Sequence, residues 1–220
     1  EDALEEKYRG ERRRYSSVVM EFSKDYESGP VRDKLDVCRE LRNLLTHNPN
    51  VGGLPVAEPS EPVLKAMEEV LEFVKRPPLA MEFATTGEQI MRGYLDQKVL
   101  PLMRAMEDRG FSHIPILKNG KFYGVFSVGA VFRYLLHNGG KGISESSTLA
   151  DLDQQIQLRE HTENYEFVSA RETYITVRKK FERVRGKSKR VAVIFVTETG
   201  SPNQKLLGML TPWDVLGDLD

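Results

Sequence analysis

Near its C-terminal end the chain places a threonine, a proline, a tryptophan and an aspartate together. They form Thr211-Pro212-Trp213-Asp214, directly behind the apolar run Leu206-Leu207-Gly208-Met209-Leu210. The order reads as a short strand, a polar corner and a helix start, with Thr211 as N-cap, Pro212 as the first helical residue and Asp214 as the third. Two chemistries suit such a corner. One is a capping box, in which the threonine hydroxyl takes a helix amide and the aspartate reaches back to the cap. The other is a sugar clamp, in which the carboxylate accepts both hydroxyls of a ribose while the hydroxyl and nearby amides face a phosphate. Trp213, the only tryptophan, is able to stack on a base, to cover an apolar edge or to sit in a dimer interface.

The elements that would position this corner occur twice. Phe122-Tyr123-Gly124-Val125-Phe126-Ser127-Val128-Gly129-Ala130 repeats the pattern, with Gly124 on Gly208, Ser127 on Thr211 and Ala130 on Asp214. Each copy follows two short strands. The first pair is His113 to Leu117 and Phe122 to Phe126 around an Asn-Gly turn, a strong hairpin signal. The second is Val191 to Val196 and Leu206 to Leu210 around a longer loop. An amphipathic helix precedes each pair, one carrying Val99, Leu102, Met103 and Met106, the other Tyr174, Val177, Phe181 and Val184. Ile90 to Gly93 reads as a leading strand behind a turn at Thr85-Thr86-Gly87, Leu149 to Leu158 as a short helix or connector, and Phe167 to Ala170 as the start of the second repeat.

On these residues the last two-thirds of the chain resembles a tandem pair of CBS domains, named after cystathionine beta-synthase. The resemblance rests on Phe111-Ser112-His113-Ile114-Pro115-Ile116 with Gly124 to Ser127, and on Val191 to Val196 with Gly208 to Asp214. It implies an α+β fold in which two βαββα-type repeats pack sheet to sheet and leave two clefts, many of which bind adenine nucleotides. Each cleft combines one repeat's Ser/Thr-x-x-Asp with the other repeat's early strand and pre-proline segment. Carried over, Thr211 and Asp214 would hold phosphate and ribose, and Ile90, Met91, Arg92, Ser112, His113 and Ile114 would line the adenine pocket. A second site, around Ser127, Phe167, Val168 and Arg190, departs from the pattern because Ala130 replaces the aspartate. Losing that acceptor costs roughly 2–5 kcal/mol of binding, so one good site is expected. AMP, ADP, ATP or S-adenosylmethionine would be the regulatory ligand, and a homodimer through the pair is implied.

Composition bounds the alternatives. A chain of 220 residues suits one or two domains with a real core. A formal net charge of −1 gives no support for broad attraction to nucleic acid or membrane. With one cysteine, Cys38, there is no disulfide framework and no cysteine-based metal site. The histidines His47, His113, His137 and His161 lack ligand spacing, so no metal is expected. No apolar run approaches a spanning length, Glu1-Asp2 does not read as a signal peptide, and a cytoplasmic protein is expected. Phosphate-loop, dinucleotide and nucleophile-elbow motifs are missing from the sequence. Arg183, Arg185, Lys187, Lys189 and Arg190 crowd one turn, either as a solvated helix end or as phosphate contacts.

Residues 1–78 read as a small helical module before residues 79–220, whose repeats run from about 84 to 140 and 160 to 220. Glu5 to Arg14 reads as a charged, solvated helix face. Helical stripes follow at Val31, Leu35, Cys38, Leu41 and Leu45, ending near His47, and at Val63, Leu64, Met67, Val70, Leu71 and Val74 behind Pro62. Cys38 reads as a core residue rather than a nucleophile. Within the first stripe, Arg42-Asn43-Leu44-Leu45-Thr46-His47 resembles the Arg-x4-His motif of HEPN domains, many of which are metal-independent ribonucleases. That resemblance implies Arg42 stabilising charge at a scissile phosphate, Asn43 as the polar residue after it, and His47 assisting proton transfer. The motif would need a second copy facing it across a dimer. The same residues suit an inactive helical interaction module. The expected function is therefore a regulatory ligand sensor that acts on the helical module or a partner. The alternatives are a ribonuclease gated by the pair and a ligand-free dimerisation module.

Overall fold

The computed structural model describes residues 1–10, 12, 14–47, 50–51, 53–55, 57–140, 142–158, 164–183 and 190–216. His161, Val184, Arg185, Lys187 and Lys189 lie outside the described residues. Helix and strand are mixed, so the fold class is α+β, and the chain divides into two units, Glu1–Pro78 and Leu79–Asp220.

The first unit is built from helices α1 (Asp2–Lys7), α2 (Val18–Lys24), α3 (Arg32–His47) and α4 (Glu61–Lys75), with a two-residue ribbon of β1 (Asn50–Val51) and β2 (Leu54–Pro55) between the last two. Leu4, Tyr8, Val18, Phe22, Val31, Leu35 and Val70 form its core. Pro62 sits in the first turn of α4, where its missing N–H is harmless. The charged stretch departs from expectation, because α1 stops at Lys7. The amides of Arg14 and Tyr15 instead donate to Glu21 Oε2 at 2.7 and 2.9 Å. The α4 stripe is also less covered than its period suggests: Val70 is buried, while Leu64, Met67 and Leu71 are exposed.

The second unit holds two sheets. One has the order β3 (Thr85–Thr86), β9 (Gly208–Leu210), β8 (Val191–Thr197), β7 (Asn164–Ser169); the other has β4 (Gly93–Tyr94), β5 (His113–Lys118), β6 (Lys121–Ser127). β5 and β6 turn at Asn119-Gly120, whose positive φ values of 53° and 74° fit a two-residue hairpin of the type Asn-Gly favours. Helices α5 (Val99–Arg109), α6 (Val128–His137), α7 (Asp153–Ile156), α8 (Tyr174–Glu182) and α9 (Trp213–Leu216) complete the unit.

The sheets meet through Ile90, Val125, Val193, Phe195 and Leu206, with Phe122, Tyr165 and Phe167 packed against them. Phe122 stands 5.0 Å from Phe167 and 4.7 Å from Phe195, centroid to centroid. On the outer faces the repeats exchange leading segments. Ala80 and Met81, ahead of the first repeat, pack on the β7-β8-β9 sheet, and β3 pairs antiparallel with β9. Leu149, Leu152 and Ile156, ahead of the second, pack on β5 and β6, and Gln157 bridges to Gly124. Thr85-Thr86, expected as a turn, is therefore a strand. Its partner is remote in sequence, and two residues carry no period to betray it.

The second exchange is tied by polar groups. Tyr123 donates its hydroxyl proton to Asp153, and Gln157 Nε2 donates to that hydroxyl at 3.1 Å and to Asp153 Oδ2 at 2.8 Å. The bond to Asp153 pushes the Tyr123 phenol up from its ordinary value, with burial adding to it. A folded-state value above the unfolded one means that the stabilisation is complete below the ordinary phenol range and is lost as pH rises through the raised value. Wild type is thus expected to exceed Tyr123→Phe in stability at neutral pH. Urea unfolding should show that gap closing above about pH 10.

Candidate functional site

The exchanged arm brings sequence-distant residues to one place. A cavity of about 210 Å³ opens between the arm (Thr85, Gln89, Ile90, Met91), the corner between α5 and β5 (Gly110, Phe111, Ser112, His113) and the corner between β9 and α9 (Met209, Thr211, Trp213, Asp214). β3 pairs with β9 at Thr85↔Met209 and Thr86↔Gly208, so the arm is laid directly beside the C-terminal corner.

At that corner Asp214 reaches back toward the cap, as in half of a capping box. Its Oδ2 accepts from the Thr211 amide at 2.6 Å and from the Thr211 hydroxyl at 2.7 Å. The threonine oxygen does not cap a helix amide here; it turns to the carboxylate. Both donors thus fall on one oxygen, which fixes the plane of the carboxylate and leaves Oδ1 to accept from outside. Across the cavity the Ser112 hydroxyl lies 2.7 Å from His113 Nδ1, and the His113 ring meets Tyr165 edge-on at 5.9 Å. The remaining wall is apolar or thioether: Ile90, Met91, Phe111, Met209 and Trp213. One fixed carboxylate, a hydroxyl pair and apolar walls can hold a polyol joined to a flat ring. The volume lies below the roughly 300–1,000 Å³ of usual ligand sites, so a nucleoside would fill it and any phosphate would project outward.

Of the residues singled out in the sequence, Ile90, Met91, Ser112, His113, Thr211 and Asp214 line this cavity, while Arg92 and Ile114 stand outside it. Ile114 is fully buried in the core of the first repeat, because successive strand side chains point to opposite faces and His113 takes the cavity side. Thr85, Gln89, Phe111 and Met209 were not anticipated as lining. Phe111 and Met209 belong to the quoted motifs without having been assigned to the pocket, but Thr85 and Gln89 arrive only through the strand exchange.

Of the second set, three residues are packed inside the unit and one is exposed. Ser127 is fully buried, and its oxygen accepts from the Ala130 amide at 3.1 Å, capping α6. Val168 lies in the second repeat's core and Phe167 among the inter-sheet aromatics, while Arg190 is exposed.

The helical unit holds a larger groove of about 590 Å³, lined largely by apolar residues including Leu64, Met67 and Leu71, with Arg42 and Asn43 at its edge. Arg42 donates to Asn43 Oδ1 at 3.2 Å and pairs with Glu1 at 3.4 Å. The Thr46 hydroxyl donates to the Arg42 carbonyl at 2.7 Å, and His47 is exposed at the end of α3. Cys38 also lines the groove, and burial pushes its thiol up, away from the nucleophilic thiolate. The groove is larger but mainly apolar, whereas half of the residues around the smaller cavity carry polar side chains, which favours the cavity as the ligand site. Among the described residues no group of three or more His, Cys, Asp or Glu could hold a metal ion, and no helix is long and apolar enough to cross a membrane.

None of the curated proteins resembles the chain in sequence. Among solved structures it is similar to the CBS domain pair of protein MJ0100 in complex with 5′-methylthioadenosine and S-adenosyl-L-methionine, at 14% identity and TM-score 0.44, covering 63% of this chain and 93% of that one. It is similar to CBSX2 in complex with AMP, at 14% identity and TM-score 0.44, covering 64% and 94%. A third is a putative signal-transduction protein with CBS domains from Burkholderia ambifaria, at 11% identity and TM-score 0.46, covering 64% and 96%. In sequence, residues 95–137 match the CBS domain family.

Proposed function

We propose that residues 79–220 form a regulatory module that binds an adenine nucleotide or adenosyl ligand beside Thr211 and Asp214 and passes its bound state to the helical module of residues 1–78 or to a partner. The observation that carries this reading is the convergence on one cavity of the fixed Asp214 carboxylate with Ile90, Met91, Ser112 and His113. The carboxylate takes the ribose hydroxyls and the apolar walls take the adenine. Signalling follows if the ligand binds one arrangement of the modules better than another. A homodimer in the cytoplasm is part of the reading, and its support is the row of exposed apolar residues Val128, Phe132 and Leu136 at four-residue spacing on α6.

The test is a thermal-shift series with AMP, ADP, ATP, S-adenosylmethionine and cyclic dinucleotides. A ligand at a hundredfold its dissociation constant stabilises the protein by about 2.7 kcal/mol, well within reach of such a series. No shift with any of them would leave the ligand-free dimerisation module as the better account.

A second reading is favoured by the Arg42–Asn43 pair, which presents a half-exposed guanidinium along the groove, with Asn43 about one helical turn before His47. In the HEPN-like reading this pair serves RNA cleavage. Incubation with mixed RNA in chelator, beside Arg42→Ala and His47→Ala, decides it: loss of cleavage in both variants supports a ribonuclease, and no cleavage by wild type sets it aside.

A further inference from the structure

We propose that Trp213 is the stacking face of the Thr211/Asp214 cleft, covering the aromatic base of the ligand and making the base a condition of tight binding. The inference rests on the reading of that cleft as an adenine site and adds a residue and a selectivity to it. Trp213 lines the cavity yet is 86% exposed. An indole left this open is unusual, since tryptophan is among the more buried residues on average. The backbone that carries it is nonetheless held. The adjoining Asp214 is tied back to Thr211 by two hydrogen bonds of 2.6 and 2.7 Å, so the backbone that carries the indole is anchored on both sides. Ile90, Met91, Phe111 and Met209 supply the other walls. The cavity is small enough that a nucleoside reaches its mouth, where the indole stands. A base between Trp213 and these walls would be covered on both faces, and the ring would lose its exposure to water. An aromatic face under a base is worth roughly tenfold to a hundredfold in affinity.

Because the chain has a single tryptophan, its emission reports this residue alone. The full-length protein is titrated with adenosine, AMP and S-adenosylmethionine, following heat and tryptophan emission together, beside Trp213→Ala and Trp213→Phe. The proposal expects the probe that gives heat to quench and blue-shift the wild-type emission. Trp213→Ala should bind that probe tenfold to a hundredfold more weakly with unchanged melting temperature, and Trp213→Phe should recover most of the affinity. Heat without an emission change, together with wild-type affinity in Trp213→Ala, overturns the stacking role and leaves the adenine site standing. No heat with any probe overturns the site reading and this inference with it. An emission that shifts with protein concentration in the absence of ligand also overturns it, assigning the indole to a contact between copies.

Discussion

Asp214→Ala is expected to lower affinity for the adenine ligand by about thirtyfold or more while leaving the melting temperature nearly unchanged. The two effects separate because the carboxylate serves two partners of unequal weight. Toward the fold it holds the Thr211 amide and hydroxyl, both part-buried, and losing a cap of this kind costs ~1 kcal/mol. Toward the ligand it is a charged acceptor for two hydroxyls in a partly enclosed cavity. Its loss removes roughly 2–5 kcal/mol, and each 1.4 kcal/mol is about tenfold in the dissociation constant. Asp214→Asn retains an oxygen that Thr211 can use but not the charge, so it should fall between the two. Calorimetry decides the matter. Unchanged affinity in Asp214→Ala would mean that the residue is a helix cap and that the ribose lies elsewhere.

Gly124→Val should be the more drastic change to the fold, costing about 3 kcal/mol or more. A β-carbon built on Gly124 would stand 2.2 Å from the carbonyl oxygen of Ile156 and 2.8 Å from its carbon. These are backbone atoms of the crossing segment and cannot rotate aside. The usual gain from replacing glycine, about 0.4–1 kcal/mol through the unfolded chain, is too small to offset such a collision. Gly208, its counterpart in the second repeat, makes the comparison informative. There a β-carbon would meet Ala84 Cβ at 3.1 Å and Met81 Sδ at 3.2 Å, and the flexible thioether can yield. Gly208→Ala is therefore expected to cost less than Gly124→Ala in urea unfolding. Equal costs would mean that the two crossings are not built as described.

The pairing of Gly124 with Gly208 was visible in the sequence as a repeated position, but its cause was not. The cause is a close approach by the other repeat, and neither repeat's own sequence records it. Local features were read more directly. The Asn119-Gly120 turn and the α5 stripe of Val99, Leu102 and Met106 follow from turn chemistry and period, whereas Leu149 to Leu158 reads only as a short helix or connector. Thr85-Thr86 reads as a turn in the sequence because the ladder that makes it a strand is completed by the distant Gly208 and Met209. The cavity shows the same division. Thr211 and Asp214 carry a spacing with a chemical meaning, Gln89 carries none, and Ile114 went to the core through strand alternation, which motif spacing does not register.

The exchanged arms also bear on how the polypeptide leaves the ribosome. Thr85 and Thr86 are made early in the second unit, yet the strand they pair with is complete only at Leu210, more than a hundred residues later. At translation speeds of about 5–20 residues per second, the first repeat waits several seconds for the partner that completes its leading arm. During that interval Ala80 and Met81 have no sheet to cover, and the edge of β6 at Gly124 stays open until Gln157 appears. Release of a truncated chain would leave these surfaces permanently uncovered, so nascent chains stalled within the second repeat should be chaperone clients rather than half-finished sensors.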